Sequence, residues 1–346
     1  MRSRSLLPDP PSDGITAVCF APGTPLLACS SWDECIHIYN TRTVEKQARL
    51  PLHSKPIFSV DWTTTRKLVT GAADGLVLLT DPETKASRLV GRHAAPVREV
   101  RVLPGDPNVV VSGSWDSYVA AWDLRMAQPI GDNVAAVISP TALGKISSGG
   151  KVFCMDVRGS RILLGLSSRT MQIWDWVPSA TTSDGESAPV FKQAMVRESP
   201  VRHQTRSVAF VNQACDRFCL GSVEGRIAVD SVLGKNRYAF RCHRHQGEDG
   251  IFTAYPINSI RWCSWKDVLF TGGSDGDLYM WQLENRKRLF RLCETTGISA
   301  LDISCEEEDT IALGLSYTWE NGRAEAALHP GIDIVTYSVS EFFRPS

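Results

Sequence analysis

Several things are missing from this chain, and each absence removes a class of function. No stretch approaches the roughly 18 consecutive apolar residues that crossing a bilayer requires, and Met1-Arg2-Ser3-Arg4-Ser5 lacks the apolar core of a signal peptide. The expectation is therefore a chain without a membrane partner. There is almost no net charge: 37 basic residues oppose 38 acidic ones. That balance weighs against wholesale binding to nucleic acid or to an anionic surface. The ten cysteines contain no Cys-x-x-Cys pair. Most stand singly in strand-like runs (Cys19, Cys29, Cys35, Cys154, Cys219, Cys263), which reads as reduced, mostly buried thiols in a cytosolic or nuclear protein. The chain also has no Gly-x-Ser-x-Gly elbow, no His-Glu-x-x-His and no phosphate-cradling glycine loop with a lysine. The reading is of a protein that is not an enzyme and that needs no cofactor or metal.

What is present is repetition. Gly113-Ser114-Trp115-Asp116 leads to Ala121-Trp122-Asp123, and echoes recur from end to end. Ser30-Ser31-Trp32-Asp33 leads to Ile38-Tyr39-Asn40, and Gly273-Ser274-Asp275-Gly276 leads to Met280-Trp281-Gln282. Weaker copies stand at Asp74, Ser168 and Glu224, with a degraded last one at Tyr317. Aligned on positions 33, 74, 116, 168, 224, 275 and 317, the steps are 41, 42, 52, 56, 51 and 42 residues. A period of roughly 40–45 with an Asp turn and a closing Trp-Asp is that of WD repeats. The fold class is thus all-β, a seven-bladed WD-repeat β-propeller occupying 1–346 as one domain. The polar stretch Pro178–Pro189 is expected to be a loop inserted in blade four, outside the regular strands, whose Ser and Thr content permits phosphorylation. Residues 320–331 lengthen the last blade similarly, and the segment before Pro8 is expected to pair with that blade and remove an open edge.

Within one repeat, Val97–Val102 alternates as a strand and Val109-Val110-Val111-Ser112 reads as a buried one. Asp116 lies in the turn that follows. His93 is placed to bond Ser112 or Ser114, and Trp122 to complete a buried polar tetrad that orients strands. Because His, Ser and Asp recur at the repeat period, they do not form a hydrolase triad. Cys242-His243-Arg244-His245 invites a zinc reading, but no second pair stands at ligand spacing.

The neutral total hides an asymmetry. Between Arg197 and Arg244 nine basic residues, eight of them arginine, face four acids. A solvated outer face is the plain alternative. Arg206 and Arg226, however, begin or interrupt apolar strand runs, where a charge needs a reason. Arginine suits carboxylate and phosphate recognition, so an acidic or phosphorylated peptide is the favoured partner, and the stretch lacks the aromatic interleaving of a single-strand binder. Arg226 and Arg241 are 15 residues apart, the distance of one strand out and the next one back, with Glu224 their one obvious acidic neighbour.

Asp13-Gly14-Ile15, Ser30-Ser31-Trp32-Asp33, Gly113-Ser114-Trp115-Asp116, Gln204-Thr205-Arg206, Ser222-Val223-Glu224-Gly225-Arg226, Tyr238-Ala239-Phe240-Arg241-Cys242-His243-Arg244 and Gly272-Gly273-Ser274-Asp275-Gly276 carry a resemblance from about Pro8 to Val335. In them the chain resembles a mitotic checkpoint propeller, the WD-repeat member of the "budding uninhibited by benzimidazoles" group. The sister messenger-RNA export family shares the Glu-Gly-Arg and Cys-His-Arg strings but usually departs from Ser-Ser-Trp-Asp and Gln-Thr-Arg. The resemblance implies a kinetochore adaptor, nuclear and at the kinetochore in mitosis, acting as a monomeric propeller in hetero-complexes. Its partners would be GLEBS segments with paired glutamates in the checkpoint kinase and its pseudokinase relative, and phosphothreonine in the Met-Glu-Leu-Thr repeats of the kinetochore scaffold. By the same resemblance Arg206, with Trp115, meets the GLEBS segment, and Arg226 and Arg241, with Trp32 beside them, meet the phosphothreonine. Arg241 stands where many members have lysine. His93-Ala94-Ala95-Pro96 departs from the family's His-Asp-Ala-Pro, and the insertions in blades four and seven are unusual. Two further readings stay open: export at the nuclear pore, and a cullin ubiquitin-ligase receptor, the latter resting on the short box Trp122-Asp123-Leu124-Arg125.

Overall fold

In the computed structural model residues 4–130, 137–181, 187–304, 309–319 and 331–343 are described. The chain folds into seven antiparallel blades with almost no helix, the β-propeller that the repeat spacing predicts. Blade one runs Ile15–Phe20, Leu26–Ser31, Cys35–Asn40 and Glu45–Pro51 from the axis outward. The innermost strands of blades two to seven are Ile57–Trp62, Val97–Leu103, Val152–Arg158, Thr205–Phe210, Ile257–Cys263 and Ile298–Ser304. Arg4–Leu6 supplies the outermost strand of blade seven, pairing with Asp333–Ser338, and Leu7 behind it is buried. Segments from both ends of the sequence thus pair within one blade, Arg4–Leu6 covering the outer edge of Asp333–Ser338. Every one of the seven aligned positions falls in or beside the turn between a blade's second and third strands, four of them as aspartate.

Burial follows from the strand pattern. Second and third strands such as Leu26–Ser31 and Leu76–Thr80 lie between neighbouring blades, so both faces are covered and the alternation vanishes. Outer strands such as Glu45–Pro51 and Lys287–Cys293 face water on one side and alternate. Three carboxylates staple one blade to the next: Asp61 accepts from the backbone N–H of Val102, Asp156 from Phe210 and Asp302 from Phe20, each at 2.8 Å.

The tetrad forms in blade three with Ser112 rather than Ser114. Trp122 donates to Ser112 Oγ at 2.7 Å, Ser112 meets His93 Nε2 at 2.8 Å, and His93 Nδ1 meets Asp116 at 2.9 Å. Blade six repeats it with Trp281, Thr271, His243 and Asp275, and blade two keeps His53, Thr70 and Asp74. His243 is therefore occupied inside a blade, and Cys242 is buried in the apolar core beside it. His245 reaches Asp275 at 2.9 Å and Asp277 at 3.2 Å, but those carboxylates already accept from His243, Arg291 and Tyr279. The described cysteines are free thiols, seven of the nine buried.

One expectation needs correction. Pro178–Pro189 is not a loop outside the strands: the blade-four hairpin continues over Thr170–Thr181 and Ser187–Glu198, with Ala180 opposite Ala188. Pro178 falls where the register shifts between Val177 and Ala180, a place where a missing N–H does no harm. Residues 182–186 and 320–330 lie outside the described residues. Two additions had no sequence signal: Gln128–Pro129 extends blade two as a fifth strand, and a small hairpin, Arg244–Gln246 with Phe252–Ala254, stands between blades five and six.

Removing the centre of a tetrad should be costly, because its partners stay buried. His93→Ala is expected to destabilise the fold by roughly 3 kcal/mol, read from denaturant midpoints, with an unchanged midpoint reducing His93 to a spectator. Acid should do the same to several blades together. Burial opposes ionisation of Asp116, yet the hydrogen bond and charge of His93 outweigh it and hold the carboxyl at about 2. Asp33, Asp74 and Asp275 are lowered likewise beside His37, His53 and His243. A carboxyl lowered in the folded state stabilises above its unfolded value and stops doing so as pH falls through the folded one. The contribution of these pairs to stability should therefore be constant above about pH 4 and be lost toward pH 2, and Asp116→Asn should shallow that loss in acid titrations followed by circular dichroism.

Candidate peptide-binding face

The axial cavity of this propeller is built by a repeated irregularity. Near the start of each innermost strand the register shifts by one residue, between Ile15 and Ala17, Ile57 and Ser59, Val97 and Glu99, Val152 and Cys154, Thr205 and Ser207, Ile257 and Ser259, and Ile298 and Ala300. The residue left over in each bulge is Thr16, Phe58, Arg98, Phe153, Arg206, Asn258 or Ser299. A bulge re-aims its side chain, and all seven line one open cavity of about 630 Å³ on the face that carries the turns between second and third strands. The ring therefore holds two arginines, two phenylalanines and three small polar groups. Arg98 is tied to Glu99 at 3.2 Å, and Arg206 is half-buried on the opposite side of Phe153 in sequence.

Three aromatic rings form a row along the rim. Trp32 meets Phe58 edge-on at 5.6 Å, and Phe58 meets Trp115 at 5.6 Å. The two tryptophans are held out by matching turns. Ser31 Oγ donates to Asp13 O and accepts from Asp33 N, while Asp33 Oδ1 accepts from Cys35 N. In blade three Ser114, Asp116 and Tyr118 repeat those bonds. The backbone being fixed, Trp32 stays 51% exposed, and the Trp115 indole N–H is buried without a hydrogen-bond partner. Tyr317 and Trp319 of blade seven, 5.6 Å apart, close another wall.

The blade-five arginines stand on the same rim. Arg226 follows the turn Val223-Glu224-Gly225 and is the direct cross-strand partner of Arg241, so both side chains lie on one side of the sheet. Arg241 is exposed and Arg226 half-buried. The Arg226 guanidinium comes to 3.6 Å from Glu224 Oε2. Arg244, from the small hairpin, donates to the Glu224 carbonyl at 2.9 Å. The turn is joined to the cavity wall by Val223 N to Gln204 O, 3.1 Å.

With this geometry the comparisons are specific. A family model described as "WD domain, G-beta repeat" matches residues 4–40, 86–123 and 241–282; the last two contain the two complete tetrads. Over 325 residues the chain is 31% identical to the mitotic checkpoint protein bub-3 of Caenorhabditis elegans, covering 91% of this chain and 88% of that one. The chain belongs to the mitotic checkpoint Bub3 family of WD-repeat propellers. It is also 28% identical over 338 residues to the mitotic checkpoint protein bub3 of Dictyostelium discoideum (95% and 93% covered), and 30% identical over 321 residues to a Poly(A)+ RNA export protein of Schizosaccharomyces pombe (90% and 84% covered).

In this Bub3-family propeller, Trp115, Arg206 and Trp32 come together at the axial cavity, whereas Arg226 and Arg241 form a separate cluster on the blade-five rim. Trp32 is thus on the cavity rather than against the arginine pair with which the resemblance grouped it. Sequence reasoning missed Arg98, Phe58 and Phe153, because a bulge is a property of pairing and leaves no residue signature. It counted Arg244 in the arginine-rich stretch but gave it no role of its own, because the hairpin carrying it has no repeat counterpart. In the Trp122-Asp123-Leu124-Arg125 box, Asp123 caps the short 3-10 helix Leu124–Met126 and takes both Nε and Nη2 of Arg125.

Proposed function

We propose that this protein is a non-catalytic kinetochore adaptor of the spindle assembly checkpoint, nuclear and placed at kinetochores in mitosis, that holds two acidic ligands on one face. The observation that carries the proposal is the pairing of two unlike recognition surfaces on a single rim. One is an aromatic-walled cavity containing Arg206 and Arg98, and the other an arginine pair with one carboxylate nearby. The cavity suits a GLEBS segment: tryptophan faces for apolar stems, guanidinium groups for its paired glutamates. The pair suits phosphothreonine, whose dianion and three acceptor oxygens match two adjacent guanidinium groups. Relatives in both checkpoint and RNA-export branches stand within one percentage point of identity, so export at the pore remains the second reading. Affinity purification from mitotic cells separates them: checkpoint kinases support the first, nucleoporins with export factors the second.

If Arg206 meets a partly desolvated glutamate, its loss leaves that carboxylate unpaired, at a cost of about 2–5 kcal/mol. Calorimetry of Arg206→Ala with a GLEBS peptide should show binding weakened at least about thirtyfold. Unchanged affinity would make Arg206 a structural charge.

The phosphate reading has its own test. A phosphorylated Met-Glu-Leu-Thr peptide should bind the wild-type protein only with its phosphate, and less well as salt rises. Arg226→Ala and Arg241→Ala should each remove that phosphate dependence while leaving GLEBS binding largely intact, in fluorescence anisotropy. Equal wild-type affinity for phosphorylated and unphosphorylated peptides sinks the assignment.

A further inference from the structure

Three polar atoms around a single turn lack hydrogen bonds. Glu224 Oε1, Arg226 Nε and Arg244 Nε are all buried and unpartnered. Glu224 Oε2 lies 3.6 Å from Arg226 Nε and 3.8 Å from His203 Nε2, close enough for attraction but too far for a hydrogen bond. A half-buried carboxylate beside a guanidinium would normally settle into a short bonded pair. Here it does not, and the backbone of the turn that carries Glu224 is fixed by its neighbours. Gly225 has a φ of +63°, and a Cβ there would come within 2.6 Å of Cys242 O and 2.8 Å of His243 O. Cys242 N bonds Gly225 O, Val223 N bonds Gln204 O, and Arg244 Nη2 bonds the Glu224 carbonyl. Glu224 therefore holds its charge near Arg226 without satisfying it.

We infer that Glu224 is an internal stand-in for the ligand's anion, a carboxylate that neutralises the arginine cluster in the empty protein and yields Arg226 when a phosphate arrives. The inference rests on the reading of Arg226 and Arg241 as phosphate ligands, and it identifies Glu224 as a specificity-determining residue and Arg244 as the positioning residue that pins its turn. Arg226 stands across the ladder from Arg241 and Arg244 is bonded to the same turn, so their positive charges repel, and one carboxylate 3.6 Å from Arg226 Nε relieves part of that repulsion. The phosphate offers the same relief with more charge and with oxygens free to approach Arg226 Nε at bonding distance. No backbone movement is needed for the exchange, only rotation of the Glu224 side chain toward exposed His203. The stand-in also sets a threshold: a monoanionic side chain of an unphosphorylated peptide meets a site already neutralised in part.

The test is Glu224→Gln, which keeps the shape and removes the charge. Binding of inorganic phosphate, followed by titration in phosphorus NMR, should tighten about threefold to tenfold relative to wild type, and the gain should shrink as salt rises. The phosphothreonine peptide should gain similarly by anisotropy, and a peptide with glutamate at the threonine position should begin to bind. Arg226→Ala combined with Glu224→Gln should show no gain for either anion. Unchanged or weakened phosphate binding in Glu224→Gln overturns the inference, and a lower melting temperature without an affinity change would make Glu224 merely structural. If wild type ignores the peptide's phosphate while Glu224→Gln still gains inorganic phosphate, the phosphopeptide reading fails and the stand-in survives. If wild type discriminates and the variant gains nothing, the stand-in fails alone.

Discussion

The pitch of the propeller depends on a contact that has no room for a side chain. Opposite the bulge of six blades the second strand carries glycine, at 71, 113, 165, 221, 272 and 314. A Cβ on Gly71 would come within 2.6 Å of Val97 in the next blade, one on Gly113 within 2.7 Å of Val152, one on Gly272 within 2.5 Å of Ile298 and one on Gly314 within 2.7 Å of Ile15. Blades two, three, five, six and seven thus seat the residue just before the next bulge against bare backbone, whereas at Gly165 of blade four the closest atom is Cys154 Sγ of the same blade. Close packing makes such a contact intolerant of even one added carbon. Blade one has Ser30 at this position, and there a hydroxyl chain replaces the packing: Thr16 Oγ1 bonds Ser30 Oγ at 2.8 Å and Ile57 O at 2.6 Å.

The same contact explains where the recognition chemistry lies. Where the residue before a bulge is clamped on its neighbour, as Val97, Val152, Ile257, Ile298 and Ile15 are, the leftover residue is the first that can turn toward the axis. One position per blade, seven in all, therefore sets the lining of the cavity, and the rest of each repeat can stay committed to packing. Arginine at two of these positions and phenylalanine at two others give a generic ring two guanidinium groups and apolar walls. The tetrads supply the complementary rigidity: His93 and His243 hold strands whose turns present Trp115 and the blade-six rim.

Legibility in the sequence followed the same division. Turn residues were readable because a short carboxylate in a tight turn bonds its own backbone, as Asp33 and Asp116 do with Cys35 and Tyr118; that is a local requirement and leaves a local mark. The neighbouring of Arg226 and Arg241 was readable from a strand-out, strand-back spacing. The bulge ring was not readable, since whether Phe58 or Ser59 faces the axis is decided by pairing with a strand a dozen residues away. The continuation of the blade-four hairpin through Pro178 failed for the opposite reason. Small polar residues and two prolines have the composition of a loop, while the long hairpin beneath them, with Ile173, Trp174, Trp176, Val177, Val190 and Phe191, extended the ladder through a register shift.

The two recognition surfaces are not independent in structure, although they are chemically distinct. Arg206 lies on the innermost strand of blade five and Arg226 on the third, and the backbone bond from Val223 to Gln204 joins the turn of one to the wall of the other. The left-handed Gly225, wedged against Cys242 and His243, prevents that turn from relaxing toward whichever ligand arrives first. On the proposed reading, a ligand in the cavity therefore does not reshape the blade-five arginine cluster by moving the backbone of this turn. It can change it only through charge, by adding glutamates to a field in which Glu224 already stands. On that ground occupancy of the cavity by an acidic segment should disfavour, mildly and in a salt-dependent way, a second anion on blade five. Joint binding would then draw its strength from holding both ligands within one assembly rather than from cooperative contacts inside the propeller.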